Sequence, residues 1–337
     1  MKNDRGYMAG VTAVLVTAAS ILAPGCARHA PAAAPAHKKI QLAAIVFQED
    51  QFFRLVQLGM KEAADKAGAD LMVGNSNNKP EKEFELVSAY AGRNVDVLLI
   101  SPLSRSGSAT ALKLARDRGV KVVTYNTPVD GDLAATFIEY DPSALGRQVG
   151  RAAHAFIAGT LGGKARVAIL AFRSQLAEQS DGRVNGFKQE LSDLPGVEYV
   201  AEQDAWLTET SVKKTGDILT AHPDLDVLYS ANEGGAVGAV LAVKNAGKAG
   251  HVAVFGVACG EQVLEFLRSP DHIMQASTGL LSTDLGRLAV ENALKVLRGE
   301  PVAKKISVPS LLLSRDDPAG LEAFAKDLRA AIERAAK

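Results

Sequence analysis

From residue 40 onward, short apolar runs alternate with longer stretches whose apolar positions recur every three to four residues. The runs IQLAAIVF (40–47), DLMVGN (70–75), VDVLLIS (95–101), VKVVTYN (120–126), RVAILAF (166–172), LDVLYSA (225–231) and VAVFGV (252–257) have strand length and β-branched character. The first intervening stretch, QFFRLVQLGMKEAADKAG, places Phe53, Val56, Met60, Ala63, Ala64 and Ala67 at helical spacing, with Gly68 as the terminating residue. Strands alternating with helices predict βαβ units and parallel sheets. The pattern also runs twice. VDVLLISP (95–102) is echoed by LDVLYSAN (225–232), and RGVKVVTYN (118–126) by AGHVAVFGV (249–257). The expected fold is therefore α/β, with two Rossmann-like, doubly wound parallel-sheet domains.

In such sheets ligands lie beyond the carboxyl ends of the strands. Those ends are Phe47–Asp50, Ser101, Asn126–Thr127, Phe172–Arg173, Asn232–Glu233 and Val257–Cys259. Three strand-like segments, TFIEYD (136–141), IMQAST (273–278) and SVPSLLLS (307–314), lack a helix of the same unit and are expected where the chain passes between halves. The terminal LEAFAKDLRAAIERAAK has an apolar stripe at Leu321, Phe324, Ala325, Leu328 and Ala331, which predicts a helix packed on a domain surface.

A chain of 337 residues favours two domains over one. Its 38 basic and 38 acidic residues leave no net charge, which argues against a nucleic-acid binder. The first 25 residues read as a signal peptide: Lys2 and Arg5 precede GVTAVLVTAASILA, which is shorter than the roughly 20 residues of a spanning helix. LAPGC then resembles a lipobox, making Cys26 the expected lipidation site. Residues 26–39, rich in Ala and Pro, read as a tether. Cys259, the other cysteine, is expected to be a small packed residue.

Catalytic signatures are missing. GTLGGKA (159–165) has one residue too few between its glycines for a phosphate loop, and no Ser or Thr follows Lys164. No GxSxG occurs, and the six histidines are scattered. No enzyme, cofactor or metal site is expected.

The polar turn followed by Phe52–Phe53 and EAADKAGADLMV, then NSNNKPEKEFELVSAYAGRNVDVLLISP, then TAHPDLDVLYSANEGGAVGAVLAVKNAGK, resemble the type I periplasmic binding proteins. The likeness runs from about residue 40 to 314 and lies with the ribose/galactose-binding branch that serves ABC transporters. It implies two lobes joined by a three-strand hinge. The lobe boundaries would be 40–140 plus 279–309 and 141–278 plus 310–317, with a terminal helix at 318–337. It implies a monomeric, lipid-anchored periplasmic protein that closes on a sugar or polyol and delivers it to an ABC permease. A binding protein feeding a membrane receptor or kinase, and a binder of an amino-sugar or other non-sugar small molecule, are the alternatives.

Carried over position by position, the resemblance places Asp50, Phe52, Phe53, Ser101, Trp206 and Asn232 against the ligand, with Glu49 and Thr278 beside them. Three positions depart from the sugar binders. Asn126–Thr127 replaces an Asp–Arg pair, Asp181 stands where an Arg is expected with Arg183 two residues on, and Ala258 replaces an Asp. The site then keeps Glu49, Asp50, Asp181 and Glu233 as carboxylates, which suits a neutral polyol or an amine-bearing sugar. Several positions also suit a structural role. Asp50 is a natural helix N-cap, Phe53 falls on the apolar stripe, and Asn126 and Asn232 are placed to cap helices that follow them.

Overall fold

The opening βα unit forms where the sequence pattern places it. The apolar run folds as β1 (Gln41–Val46), and α1 (Gln51–Ala67) follows with Asp50 as N-cap and Gly68 at φ 66° closing its C-terminus. The computed structural model describes residues 39–336 and, apart from these, only Ala13. The leader, most of the tether and Cys26 lie outside the described residues.

The chain continues through β2 (Asp70–Asn75), α2 (Pro80–Gly92), β3 (Val97–Ile100), α3 (Ala109–Asp117), β4 (Lys121–Tyr125) and β5 (Thr136–Glu139). Then come α4 (Pro142–Thr160), β6 (Lys164–Ala171), α5 (Arg173–Glu190), β7 (Gly196–Asp204), α6 (Thr208–Ala221), β8 (Val227–Ser230), α7 (Glu233–Asn245), β9 (Ala253–Gly256), α8 (Glu261–Arg268) and β10 (Met274–Leu280). The last elements are α9 (Ser282–Leu297), β11 (Lys305–Ser307), β12 (Ser310–Ser314) and α10 (Pro318–Ala335).

Two six-stranded sheets result, ordered β11-β5-β4-β3-β1-β2 and β12-β10-β9-β8-β6-β7. All pairings are parallel except β10 with β12. The strand order reverses between β1 and β3 in one sheet and between β6 and β8 in the other. Those are the switch points at which such sheets leave a crevice. The chain crosses between lobes three times: from β5 into α4, from β10 into α9, and from β11 into β12. SVPSLLLS is thus two strands in two sheets, broken at Pro309, which has no N–H to give a ladder.

Three other expectations change. GVEYVAEQD, which includes the polar stretch before Trp206, is the edge strand β7; Glu198, Tyr199, Glu202, Gln203 and Asp204 are exposed on its two faces and a bulge before Ala201 shifts its register, so no apolar alternation marks it. No helix follows Asn126 directly. β5 comes next, and Asn126 sits at φ 61° in the left-handed region that Asn tolerates. The terminal helix α10 packs on both lobes, touching α8 and β12 of the second and α1 of the first.

Within the first lobe, α1 and α9 cross at backbone contact. A Cβ on Gly286 would stand 1.9 Å from the Val56 carbonyl oxygen, and one on Gly59 1.9 Å from that of Thr283.

Candidate functional site

A cleft of about 520 Å³ opens between the lobes at the carboxyl ends of both sheets. On the first-lobe side, the turn after β1 supplies Glu49, Asp50 and Phe52. The Asp50 carboxylate accepts the Phe53 N–H at 2.9 Å and an amide hydrogen of Gln48, so it caps α1 while lining the cleft. Such a cap stabilises a helix by about 1 kcal/mol. Phe53 is 1% exposed and stacks edge-on against Phe47, with ring centres 4.6 Å apart. Phe52 leans edge-on against Phe53 at 5.1 Å and stays partly open to the cleft. Glu49 is exposed and accepts from Asn75 at 3.2 Å.

From the second lobe, Trp206 enters on the loop between β7 and α6. Its position is held from behind. Asn232 donates to the Trp206 carbonyl at 2.9 Å and caps α7 by accepting the Gly235 N–H at 3.2 Å. A Cβ on Gly234 would come within 2.2 Å of the same Trp206 carbonyl oxygen, so only glycine lets the loop approach. Asn232 lines the cleft with one amide N–H and one lone pair of its oxygen committed to this support.

Arg183 is half-buried in the cleft wall. Nη1 donates to the Ala231 carbonyl at 2.9 Å, Nη2 to Gln179 at 3.4 Å, and the guanidinium lies 5.0 Å from the centre of the Phe172 ring. Its Nε is buried without a partner. Burial brings its pKa down to about 10, so it remains charged at neutral pH. Glu233 faces the cleft and accepts the N–H groups of Cys259 and Gly260, each at 3.1 Å. Loss of hydration against the cleft wall, with a smaller push from Asp50 across the cleft, raises its carboxyl above the usual range. Cys259 is not simply packed, since it also lines the cleft. Burial first, and the neighbouring Glu233 second, push its thiol up to about 12, so it stays protonated and inert.

Four expected site residues are not brought to the cleft. Asp181 is half exposed and pairs with Arg173. Positions 181 and 183 lie about 200° apart around a helix, so only one of them can face the ligand space. Thr278 is fully buried outside the lining, and Leu280, two residues or about 6.6 Å further along β10, lines it instead. Thr127 is buried outside the lining as well. Ser101 is also buried behind the wall, where its hydroxyl accepts from the Asn126 amide at 3.1 Å and so orients a residue that does line the cleft. Ala258 lines it as an apolar wall.

Sequence reasoning missed the glutamines. The Gln179 side chain reaches from α5 to the Asn126 carbonyl at 2.7 Å, and Gln175 donates to Gln48 at 3.4 Å. Arg105 of the first lobe pairs with Glu178 of the second at 3.2 Å. Together these contacts fasten the lobes across the cleft. A kink at Leu176 (φ −140°, ψ 83°) separates Gln175 from Glu178 and Gln179, and Gln175, Leu176 and Gln179 line the cleft. Among the described residues, no cluster of three or more His, Cys, Asp or Glu could hold a metal ion, and no helix is long and apolar enough to cross a membrane.

Residues 43–301 match the model of the periplasmic binding protein domain. The chain belongs to the periplasmic binding protein family. A ribose import binding protein of Salmonella typhimurium is 30% identical over 260 residues, covering 76% of this chain and 84% of that one. An ABC transporter solute-binding protein of Mycobacterium smegmatis, solved with bound glycerol, is 26% identical, with a TM-score of 0.76 over 84% of this chain and 96% of its own. One from Actinobacillus succinogenes, solved with bound D-allose, has a TM-score of 0.75 at 24% identity, over 84% and 100%. The three crossings and the cleft at both switch points are thus the two-lobe fold of a periplasmic binding protein. The family match stops short of α10.

Proposed function

We propose that this periplasmic binding protein captures a sugar or polyol between its lobes and presents it to the permease of an ABC importer. It acts as a monomer outside the cytoplasm and performs no chemistry on its ligand. The observation that carries the reading is the placing of Phe52 and Trp206, one from each lobe, on a single cleft edged by polar strand ends. Sugar rings and cyclic polyols expose C–H faces that such aromatics bury, and rim hydroxyls that polar groups bind. The relatives named for ribose, or solved with allose or glycerol, support that ligand class. In the proposed site, Phe52 and Trp206 hold the ring faces while Asp50, Asn126 and Arg183 meet the oxygens. A thermal-shift panel of ribose, allose, glycerol and myo-inositol tests it. At ligand near 100 times Kd the native state gains about 2.7 kcal/mol, a rise of several degrees in Tm. A panel in which nothing shifts Tm overturns the sugar reading. The proposed anchor is Cys26, and palmitate labelling that persists in Cys26→Ala would remove it.

A second reading, a ligand bearing an amine, is favoured by one observation. Asp50 and Glu233 face the same cleft from opposite lobes, and their hydrogen-bond partners are all neutral. An ammonium would offset that charge and suit the aromatic walls. Glucosamine binding more tightly than glucose would favour this reading, and the reverse order would end it. The same loss of hydration at Glu233 has a pH consequence in the ligand-free protein. A carboxyl whose folded pKa is raised stabilises the fold below its unfolded pKa near 4.5, and that stability is lost as pH rises through the folded value. Glu233→Gln is expected to flatten this part of the Tm-against-pH curve. An unchanged curve would show that Glu233 carries no such strain.

A further inference from the structure

Helix α10 has a different neighbour at each end. Near its start, Glu322 pairs with Arg268 of α8 at 2.7 Å. The Phe324 ring fills the space left by Gly279 of β10, where a Cβ would come within 2.9 Å of it. Both contacts belong to the second lobe. Ten residues beyond Phe324, about 15 Å along the axis, Arg334 pairs with Glu62 of α1 in the first lobe at 2.9 Å. Between these ends Leu328, 6% exposed, forms part of the cleft lining.

The partner surface on α1 is equally specific. Phe53, Val56 and Met60 join a cluster that holds strand residues of both sheets. Leu55 and Leu58 instead join a cluster made of α10 (Leu321, Phe324, Leu328, Ala331) and second-lobe residues such as Val237. With Glu62 they form a second stripe, at spacings of three and four, which the first lobe alone would leave in water.

We propose that α10 is an interlobe strap: seated on the second lobe by Leu321 and Phe324, it grips the Leu55–Leu58–Glu62 stripe of the first and walls off one end of the ligand cleft with Leu328. The proposal rests on the reading that the lobes open and close around a ligand. Opening must then peel α1 from α10, exposing two leucines. The strap therefore holds the ligand-free protein toward the closed form, and Leu328 limits how far a ligand extends toward α10.

The test needs no ligand. Leu58→Asp places a charge on the gripped stripe, where only the open form can hydrate it. Small-angle scattering of the ligand-free variant should give a larger radius of gyration than wild type, and emission from Trp206 should shift to the red. Wild-type radius and emission in a variant with native circular dichroism overturn the strap while leaving the sugar reading standing. Should Leu58→Asp fail to fold, Leu58→Ala with hydrogen exchange decides. Amides from Leu328 to Arg334 should exchange severalfold faster, and unchanged protection there overturns the proposal. Failure of the wild type to bind any sugar of the panel would count against the ligand reading alone.

Discussion

Arg183→Met is expected to lower affinity roughly 10- to 150-fold while leaving Tm unchanged or higher. The two effects have opposite signs because the guanidinium sits in the cleft wall with no carboxylate bonded to it. Its contacts are the Ala231 carbonyl, Gln179 and the Phe172 ring. Holding an unneutralised charge there costs stability, and a methionine of similar length removes that cost. The loss of one bond to Ala231 offsets part of the gain. Binding suffers because Arg183 lines the cleft as a charged donor beside the ligand space. A hydrogen bond from a charged donor contributes about 1.5–3 kcal/mol. Calorimetry with the best ligand of the panel, beside thermal denaturation, gives both numbers. A fall in Tm with wild-type affinity would make Arg183 a structural tie to Ala231 and nothing more.

Trp206→Ala should weaken binding by about 1–3 kcal/mol, or roughly 5- to 150-fold, through lost burial and stacking. The fold should tolerate it. The loop is positioned through the Trp206 carbonyl, held by Asn232 and admitted by Gly234, and those contacts do not use the indole. The variant should therefore keep its circular dichroism and its Tm to within a few degrees. Wild-type affinity would show that the indole only packs, and it would break the pairing with Phe52 on which the sugar reading depends.

What could be read from the sequence was whatever repeats or caps locally. The turn VFQEDQFF is the clearest case. Phe53 falls on the helical stripe and is buried, Phe52 falls off it and faces the cleft, and Asp50 serves as cap and cleft wall at once. The rest depended on phase or on distant chain. Asp181 and Arg183 are neighbours in a motif but opposed on a helix. Thr278 and Leu280 share a strand, and only the one nearer its end reaches the ligand space. The glutamines of α5 cross to the other lobe on either side of a kink at Leu176 that no proline or glycine announces. The edge strand β7 escaped notice because no apolar alternation marks it.

The glycine contact between α1 and α9 also bears on the order in which the lobes are completed during synthesis. Gly59 lies near the start of the first lobe, but Gly286, the residue it must meet, follows the whole of β6 to β10. At 5–20 residues per second, the interval between the two leaving the ribosome is about 10–50 s. Throughout that interval the first lobe holds α1 with its closest helical neighbour not yet made. The second lobe, once β10 is finished, still waits for the edge strand β12 and for α10, whose Leu321 and Phe324 pack on it. Both lobes are therefore completed only by chain made after β10, the first by α9 and β11 and the second by β12 and α10, and until then any factor that handles the nascent protein meets the exposed face of α1.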